Sequence, residues 1–218
     1  MYQYILFDLD GTLTNPKEGI TKCVQYALAD QGIEEPNLDK LTPFIGPPLL
    51  DSFQEYYHMN LEQCRKALGK YRERFATVGI FENSVLPGVP EMLQQLRKKG
   101  KTLAVASSKP EEFVIRILEK FEILSYFDEV AGASMDGKRT AKADVIREAL
   151  RRMEISEEEK KQVIMVGDRR HDVEGAKECG LDCLGVYVGF AEPGELEQAG
   201  AAYIADTVEG MSRFLQDN

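Results

Sequence analysis

The stretch Tyr4-Ile5-Leu6-Phe7-Asp8-Leu9-Asp10-Gly11-Thr12 decides how the rest of the chain is read. Tyr4 to Leu9 is a short apolar run, the pattern of a strand buried on both faces within a parallel sheet. Asp10-Gly11-Thr12 supplies a turn at its end. Asp8 and Asp10 stand at i and i+2, so in extended chain both carboxylates project to one side with Cα atoms about 6.6 Å apart. That is near enough to share a cation. An acidic strand end followed by Asp-Gly is also an ordinary turn, so the pair needs support from elsewhere in the chain.

Similar apolar runs recur at Thr102 to Ala106, Val163 to Val166, Cys183 to Val188 and Tyr203 to Ala205, with a weaker one near Glu129 to Ala131. Between them the apolar spacing turns helical, as in Val89, Met92, Leu93 and Leu96, in Phe113, Val114, Ile117, Leu118 and Phe121, and in Val145, Ile146, Ala149, Leu150 and Met153. Alternating strands and helices predict an α/β fold, a parallel sheet covered by helices on both sides. The segment 15–83 has no convincing strand and at least two helical stripes, one through Ile20, Val24, Ala27 and Leu28, the other around Leu61, Cys64, Leu68, Tyr71, Arg72 and Phe75. It reads as a helical insert, and residues 1–14 with 84–218 as the sheet domain into which it is set.

The support for Asp8 and Asp10 comes from a second acidic strand end, Gly167-Asp168, with Asp172 four residues on. Carboxylates gathered at the same ends of two parallel strands repel one another without a cation, and a hard dication with oxygen ligands, Mg2+ in first place, resolves this. Ligands of open parallel sheets bind outside the carboxyl ends of the strands, which is where these groups fall. The third run ends in Ser107-Ser108-Lys109, which offers hydroxyls there, and Lys142 opens the helix that carries Val145. Carboxylates for a metal, with an ammonium, hydroxyls and the turn amides of Gly11 and Thr12 for an anion, suit phosphoryl transfer.

Asp8-x-Asp10-Gly11-Thr12, the run into Ser107, Lys142, and Gly167-Asp168-x-x-x-Asp172 resemble, in order and across most of the chain, the four motifs of the haloacid dehalogenase-like (HAD) hydrolase superfamily. The insert is similar to a C1-type cap, and FDLDGTL with the G-P-P-L turn resembles the phosphoglycolate phosphatase-like and 5'-nucleotidase-like branch. The resemblance implies a Rossmann-like core and a Mg2+-dependent phosphomonoesterase acting on a small phosphorylated metabolite. It makes Asp8 the nucleophile that forms an aspartyl-phosphate and Asp10 the acid and then the base. Ser107 and Lys142 hold the phosphoryl oxygens, with Gly11, Thr12 and Ser108 beside them. Asp8, Asp168 and the backbone carbonyl of Asp10 ligate the metal, with Asp172 a ligand through water or a support. The loop Gly46-Pro47-Pro48-Leu49 is placed where relatives choose the leaving group; its plainer reading is a connection with Pro at a helix start. Lys138 competes with Lys142 for the third motif. Arg169 and Arg170 replace small residues, either as a solvated loop or as extra positive charge. A sugar phosphomutase of the same superfamily and a non-enzymatic phosphorylation-dependent module are the alternatives.

Composition sets the outer limits. With 27 Lys plus Arg against 37 Asp plus Glu in 218 residues, the net charge of -10 argues against a protein that neutralises nucleic-acid phosphates or anionic membranes. The expectation is a cytoplasmic monomer or homodimer with no nucleic-acid or membrane partner. Cys23, Cys64, Cys179 and Cys183 are too scattered for a disulfide framework. Cys179 and Cys183 with His171 offer three zinc-type ligands without a fourth, so packing is the preferred reading. Tyr56, Tyr57, His58, Tyr71 and Phe75 could line an apolar pocket for a nucleobase, but aromatics at helical spacing read first as core, and His58 most simply as a surface or packing residue.

Overall fold

The computed structural model describes residues 1–218. Contacts divide the chain into two compact units, Met1–Asn15 with Val85–Asn218, and Pro16–Ser84. The first unit begins with β1 (Tyr4–Phe7) and the short β2 (Thr14–Asn15). The second holds three helices, α1 (Lys17–Asp30), α2 (Leu49–Tyr57) and α3 (Leu61–Phe75). After β3 (Ser84–Val85), which pairs with β2, the first unit runs on as α4 (Val89–Lys98), β4 (Thr102–Pro110), α5 (Glu111–Lys120), β5 (Glu129–Ala133) and α6 (Lys142–Arg152). It closes with β6 (Val163–Gly167), α7 (Arg170–Glu178), β7 (Asp182–Val186), α8 (Glu195–Ala199), β8 (Tyr203–Ala205) and α9 (Val208–Asp217).

Six strands form one sheet in the order β5-β4-β1-β6-β7-β8, every pair parallel. β1 lies in the middle because it is apolar on both faces. Leu6 packs into a cluster with Ala104, Met165, Val145, Ile146 and Val173, on the side of α6 and α7. Ile5 and Phe7 alternate to the other face and are equally buried. Burial of each such side chain contributes roughly 1.5–3 kcal/mol. The chain winds outward from β1 to β5 on one side, then crosses back to β6 on the other. That reversal places the carboxyl ends of β1 and β6 side by side at the point where open α/β sheets bind ligands. The α/β, Rossmann-like class expected from the sequence is therefore present.

The boundaries differ in instructive ways. The first run was expected to stay extended to Leu9, yet β1 ends at Phe7, because the Leu9 carbonyl turns to accept the amides of Leu13 and Thr14. β4 runs on past Ala106 to Pro110, with an irregular register against β5 after Ser107. The weak run near Glu129 is a full five-residue edge strand. Its polar start is explained by Arg152, whose guanidinium meets Glu129 at 3.2 Å, Glu111 at 2.9 Å and Glu148 at 2.7 Å.

In the helical unit, Ile20, Cys23, Val24, Ala27 and Leu28 form the buried stripe of α1, and Cys64, Ala67, Tyr71 and Phe75 that of α3. Leu61, assigned to or beside the second stripe, is exposed at the first position of α3 instead. There the Asn60 side chain accepts the Gln63 amide and Gln63 accepts that of Asn60, a reciprocal cap. α1 lies close to the turn at Gly79: a Cβ on Gly19 would come within 2.2 Å of the Gly79 carbonyl oxygen. No helix is long and apolar enough to cross a membrane.

Candidate active site

The turn after β1 brings the first two carboxylates into place. The Asp8 amide still donates to the Val166 carbonyl at 2.9 Å, which ties it to β6, and Gly11 then turns the chain with φ +90°. Only glycine serves at that position. A Cβ on Gly11 would lie 2.2 Å from Asp168 Oδ2, and one on Gly189 would meet the same oxygen at 2.2 Å. The two glycines form a cradle for the Asp168 carboxylate, which is fully buried and accepts the Phe190 amide at 2.8 Å and the Thr12 hydroxyl at 3.3 Å.

Asp172, in the first turn of α7, reaches back so that Oδ2 accepts the Arg169 amide at 3.0 Å. Its Oδ1 lies 2.7 Å from Lys142 Nζ. The same ammonium stands 2.7 Å from Asp8 Oδ1 and donates to the Ala106 carbonyl at 3.1 Å. Lys142 opens α6, and Gly175 of α7 makes room for its stem, since a Cβ there would come within 2.8 Å of Lys142 Cγ. Lys138 sits elsewhere, exposed and paired with Asp136 at 3.2 Å.

One oxygen each from Asp8, Asp168 and Asp172 fall within 4.8 Å of one another, all three residues buried. An oxygen-only donor set in a glycine cradle fits a hard divalent cation. Electrostatics agree. Burial raises the Asp168 carboxyl well above the ordinary range and the charges of Asp172 and Asp8 add to it, while the Phe190 amide works against them. Burial likewise raises Asp172 to about 6, opposed by Lys142 and assisted by Asp8. Burial disfavours the Lys142 charge, but Asp172 and Asp8 outweigh it and push its pKa up.

A pH dependence follows. Folded Asp172 holds its proton more tightly than an ordinary carboxyl of 3.8, so its contribution to stability is present below that value and lost as pH rises through about 6. In the metal-free protein, the melting temperature of Asp172→Asn should therefore climb relative to wild type between about pH 4 and about pH 7. Thermal melts of both proteins at fixed ionic strength check this, and a pH-independent difference contradicts it.

Asp10 is also buried, and its Oδ2 lies 2.6 Å from Lys109 Nζ while its Oδ1 has no hydrogen-bond partner. Burial raises its pKa, with Lys109 pulling the other way. Ser107 is buried and its hydroxyl oxygen accepts the Lys109 amide at 3.4 Å; Ser108 is half-buried on the next position of β4.

Sequence reasoning passed over Lys109, although its i+2 spacing from Ser107 is the same signal that paired Asp8 with Asp10. It also passed over Gly189, Phe190 and Glu195, which lie in and after a loop with no motif of its own. Glu195 accepts Arg169 Nε at 2.9 Å and the Arg170 amide at 2.8 Å, so Arg169 is a buried ion-pair partner and not part of a solvated loop. The Cys179 thiol donates to the Ala143 carbonyl and Cys183 is buried in the sheet core, so both pack. Gly46, Pro47, Pro48 and Leu49 belong to the helical unit: Gly46 turns with φ +104°, Pro48 precedes α2 with φ -58° and ψ 126°, and Leu49 is its first residue. In that unit Tyr71 and Phe75 are core, Tyr56 is exposed, and His58 ends α2 in the left-handed region with φ 51°.

Comparison with known proteins leads to the same place. The profile of the haloacid dehalogenase-like hydrolases matches residues 5–186. A 5'-nucleotidase of Pseudomonas aeruginosa is 46% identical over 217 residues, covering 100% of this chain and 97% of that protein. The tyrosine-protein kinase PtkA of Mycobacterium tuberculosis is 36% identical over 98% of this chain and 72% of its own length, and a phosphoglycolate phosphatase of Aquifex aeolicus is 30% identical over 81% and 80%. Among solved structures, a predicted phosphatase from Clostridium acetobutylicum superposes with a TM-score of 0.96 at 43% identity, covering 100% of both chains. With its four motifs brought to one end of the sheet, this chain belongs to the haloacid dehalogenase-like hydrolase family.

Proposed function

We propose that the chain is a phosphomonoesterase that works through Asp8, with a nucleoside 5'-monophosphate as the leading substrate class and 2-phosphoglycolate as the next. The observation that carries the reading is the pair of buried aspartates after β1, one on Lys142 at 2.7 Å and the other on Lys109 at 2.6 Å. A carboxylate needs no base to become a nucleophile at neutral pH.

An Asp8 oxygen attacks phosphorus, the bond from phosphorus to the ester oxygen breaks, and the departing oxygen takes a proton from Asp10. The unpartnered Oδ1 of Asp10 suits that transfer, and burial favours its protonated form. Asp10, now ionised, takes a proton from a water molecule as that water attacks phosphorus, which frees Asp8 and releases inorganic phosphate. Lys142 balances the charge of Asp8 and the phosphoryl oxygens, and Ser107 offers a hydroxyl beside them. Asp8, Asp168 and Asp172 are the residues that would hold Mg2+, which supplies a positive charge for the phosphoryl oxygens when bound.

The substrate class rests on the 46% identical 5'-nucleotidase. The 36% identical tyrosine-protein kinase supports a second reading, transfer of a phosphoryl group to tyrosine. One panel tests both: phosphate release from nucleoside 5'-monophosphates, 2-phosphoglycolate and an aryl phosphate, with Mg2+ or chelator, beside ATP with a tyrosine peptide. The expected result is Mg2+-dependent phosphate release with nucleoside monophosphates ranked first. Label passing from ATP to the peptide with no monophosphate hydrolysis would favour the kinase reading, and a requirement for a sugar bisphosphate activator would favour a mutase.

A further inference from the structure

The two oxygens of the Asp10 carboxylate have unlike surroundings. Oδ2 is 2.6 Å from Lys109 Nζ, with the two side chains only 6% and 8% exposed. Oδ1 is buried and accepts no hydrogen bond from another protein group. No protein group donates to it, so this oxygen is left to meet a water or a proton-accepting ligand. Lys109 reaches Asp10 because β4 runs on past Ser107 with its register against β5 broken between Ser107 and Pro110. Irregularities of this kind re-aim a side chain next to an active site.

We propose that Lys109 is a positioning residue that clamps Asp10 by Oδ2, so that Oδ1 is the oxygen presented to the leaving group. The proposal rests on the phosphomonoesterase reading and adds to it the division of labour within Asp10. An ammonium that only neutralised a buried charge would act on folding and on every substrate alike. One that aims the acid matters most where the leaving group needs a proton.

The experiment compares kcat/KM, which reports phosphoryl transfer to the enzyme and not the later hydrolysis, for an alkyl monophosphate and for p-nitrophenyl phosphate, whose leaving group departs readily without a proton. For Lys109→Met the expected loss is roughly 100-fold or more on the alkyl substrate, the scale of general-acid catalysis, and under about 10-fold on the aryl one. Lys109→Arg, which keeps the charge, should recover part of the alkyl activity. On an Asp10→Asn background the same Met substitution should cost almost nothing further, because a residue acting through Asp10 has nothing left to act on. If Lys109→Met does not fold, Lys109→Gln is measured in its place. Equal losses on the two substrates, no loss on either, or full additivity with Asp10→Asn would overturn the proposal. A wild-type enzyme inactive on both substrates would instead overturn the phosphomonoesterase reading itself.

Discussion

Asp8→Asn is expected to abolish phosphate release, by roughly 10^4-fold or more, while leaving the protein folded. The side chains have the same shape, and the Asn carbonyl oxygen can still accept from Lys142, which lies 2.7 Å from Asp8 Oδ1. What is lost is the anionic oxygen that attacks phosphorus, and an amide is no substitute for it. The substitution also takes one buried negative charge out of a cluster that holds Asp168 and Asp172, which limits any cost to folding. Phosphate release and a thermal melt on the same preparation check both halves. Retained activity in a folded variant would remove Asp8 from the chemistry.

The largest effect on stability is expected for Lys142→Met. The methionine stem fills most of the space beside Gly175, so the packing between α6 and α7 is kept while the charge is removed, together with its hydrogen bond to the Ala106 carbonyl. Asp8 and Asp172 then lose a buried counter-charge that stood 2.7 Å from each. Breaking a buried ion pair from one side costs about 3–5 kcal/mol. At roughly 2–4 °C per kcal/mol for a chain of this size, the metal-free variant should melt on the order of 10 °C lower at neutral pH. The deficit should shrink with added Mg2+, which binds only the folded cluster, and at lower pH, where Asp172, its pKa already raised to about 6 with Lys142 present and higher still without it, takes up a proton. Thermal melts across pH and Mg2+ concentration measure this. An unchanged melting temperature would mean that Lys142 carries no electrostatic load.

The elements read from sequence with least trouble are those whose signal is local. β1, β4 and β6 are buried on both faces, so their apolar runs are continuous, and each ends beside residues that form the site. The helical stripes of α4 to α6 were legible for the same reason. β5 was faint because its first residue, Glu129, is held by Arg152, a partner 23 positions away that no local pattern reveals. Lys142 and Lys138 differed in sequence only by the start of an apolar helix, and that difference separates a buried ammonium on Asp8 from a solvated one on Asp136. Lys109 and the Gly189-Phe190 turn were missed because their contacts to Asp10 and Asp168 are set by how four strands, β1, β4, β6 and β7, end beside one another; the i+2 spacing from Ser107 marks Lys109 as a neighbour of the site but does not name Asp10 as its partner. Arg169 reads equally as a solvated loop residue or as extra positive charge until Glu195, 26 positions on, is seen to close over it.

In the proposed reaction the phosphoryl group passes through Asp8. The direct test is a single turnover of a labelled monophosphate by excess enzyme with Mg2+, quenched in acid at successive times, with the labelled peptide located by mass spectrometry. The prediction is a phosphoryl group on Asp8 that rises before free phosphate, decays as phosphate appears and is discharged by hydroxylamine, as an acyl phosphate should be. Phosphate appearing with Asp8 unmodified at every time point, or a hydroxylamine-stable label on Ser107 or Thr12, would contradict it.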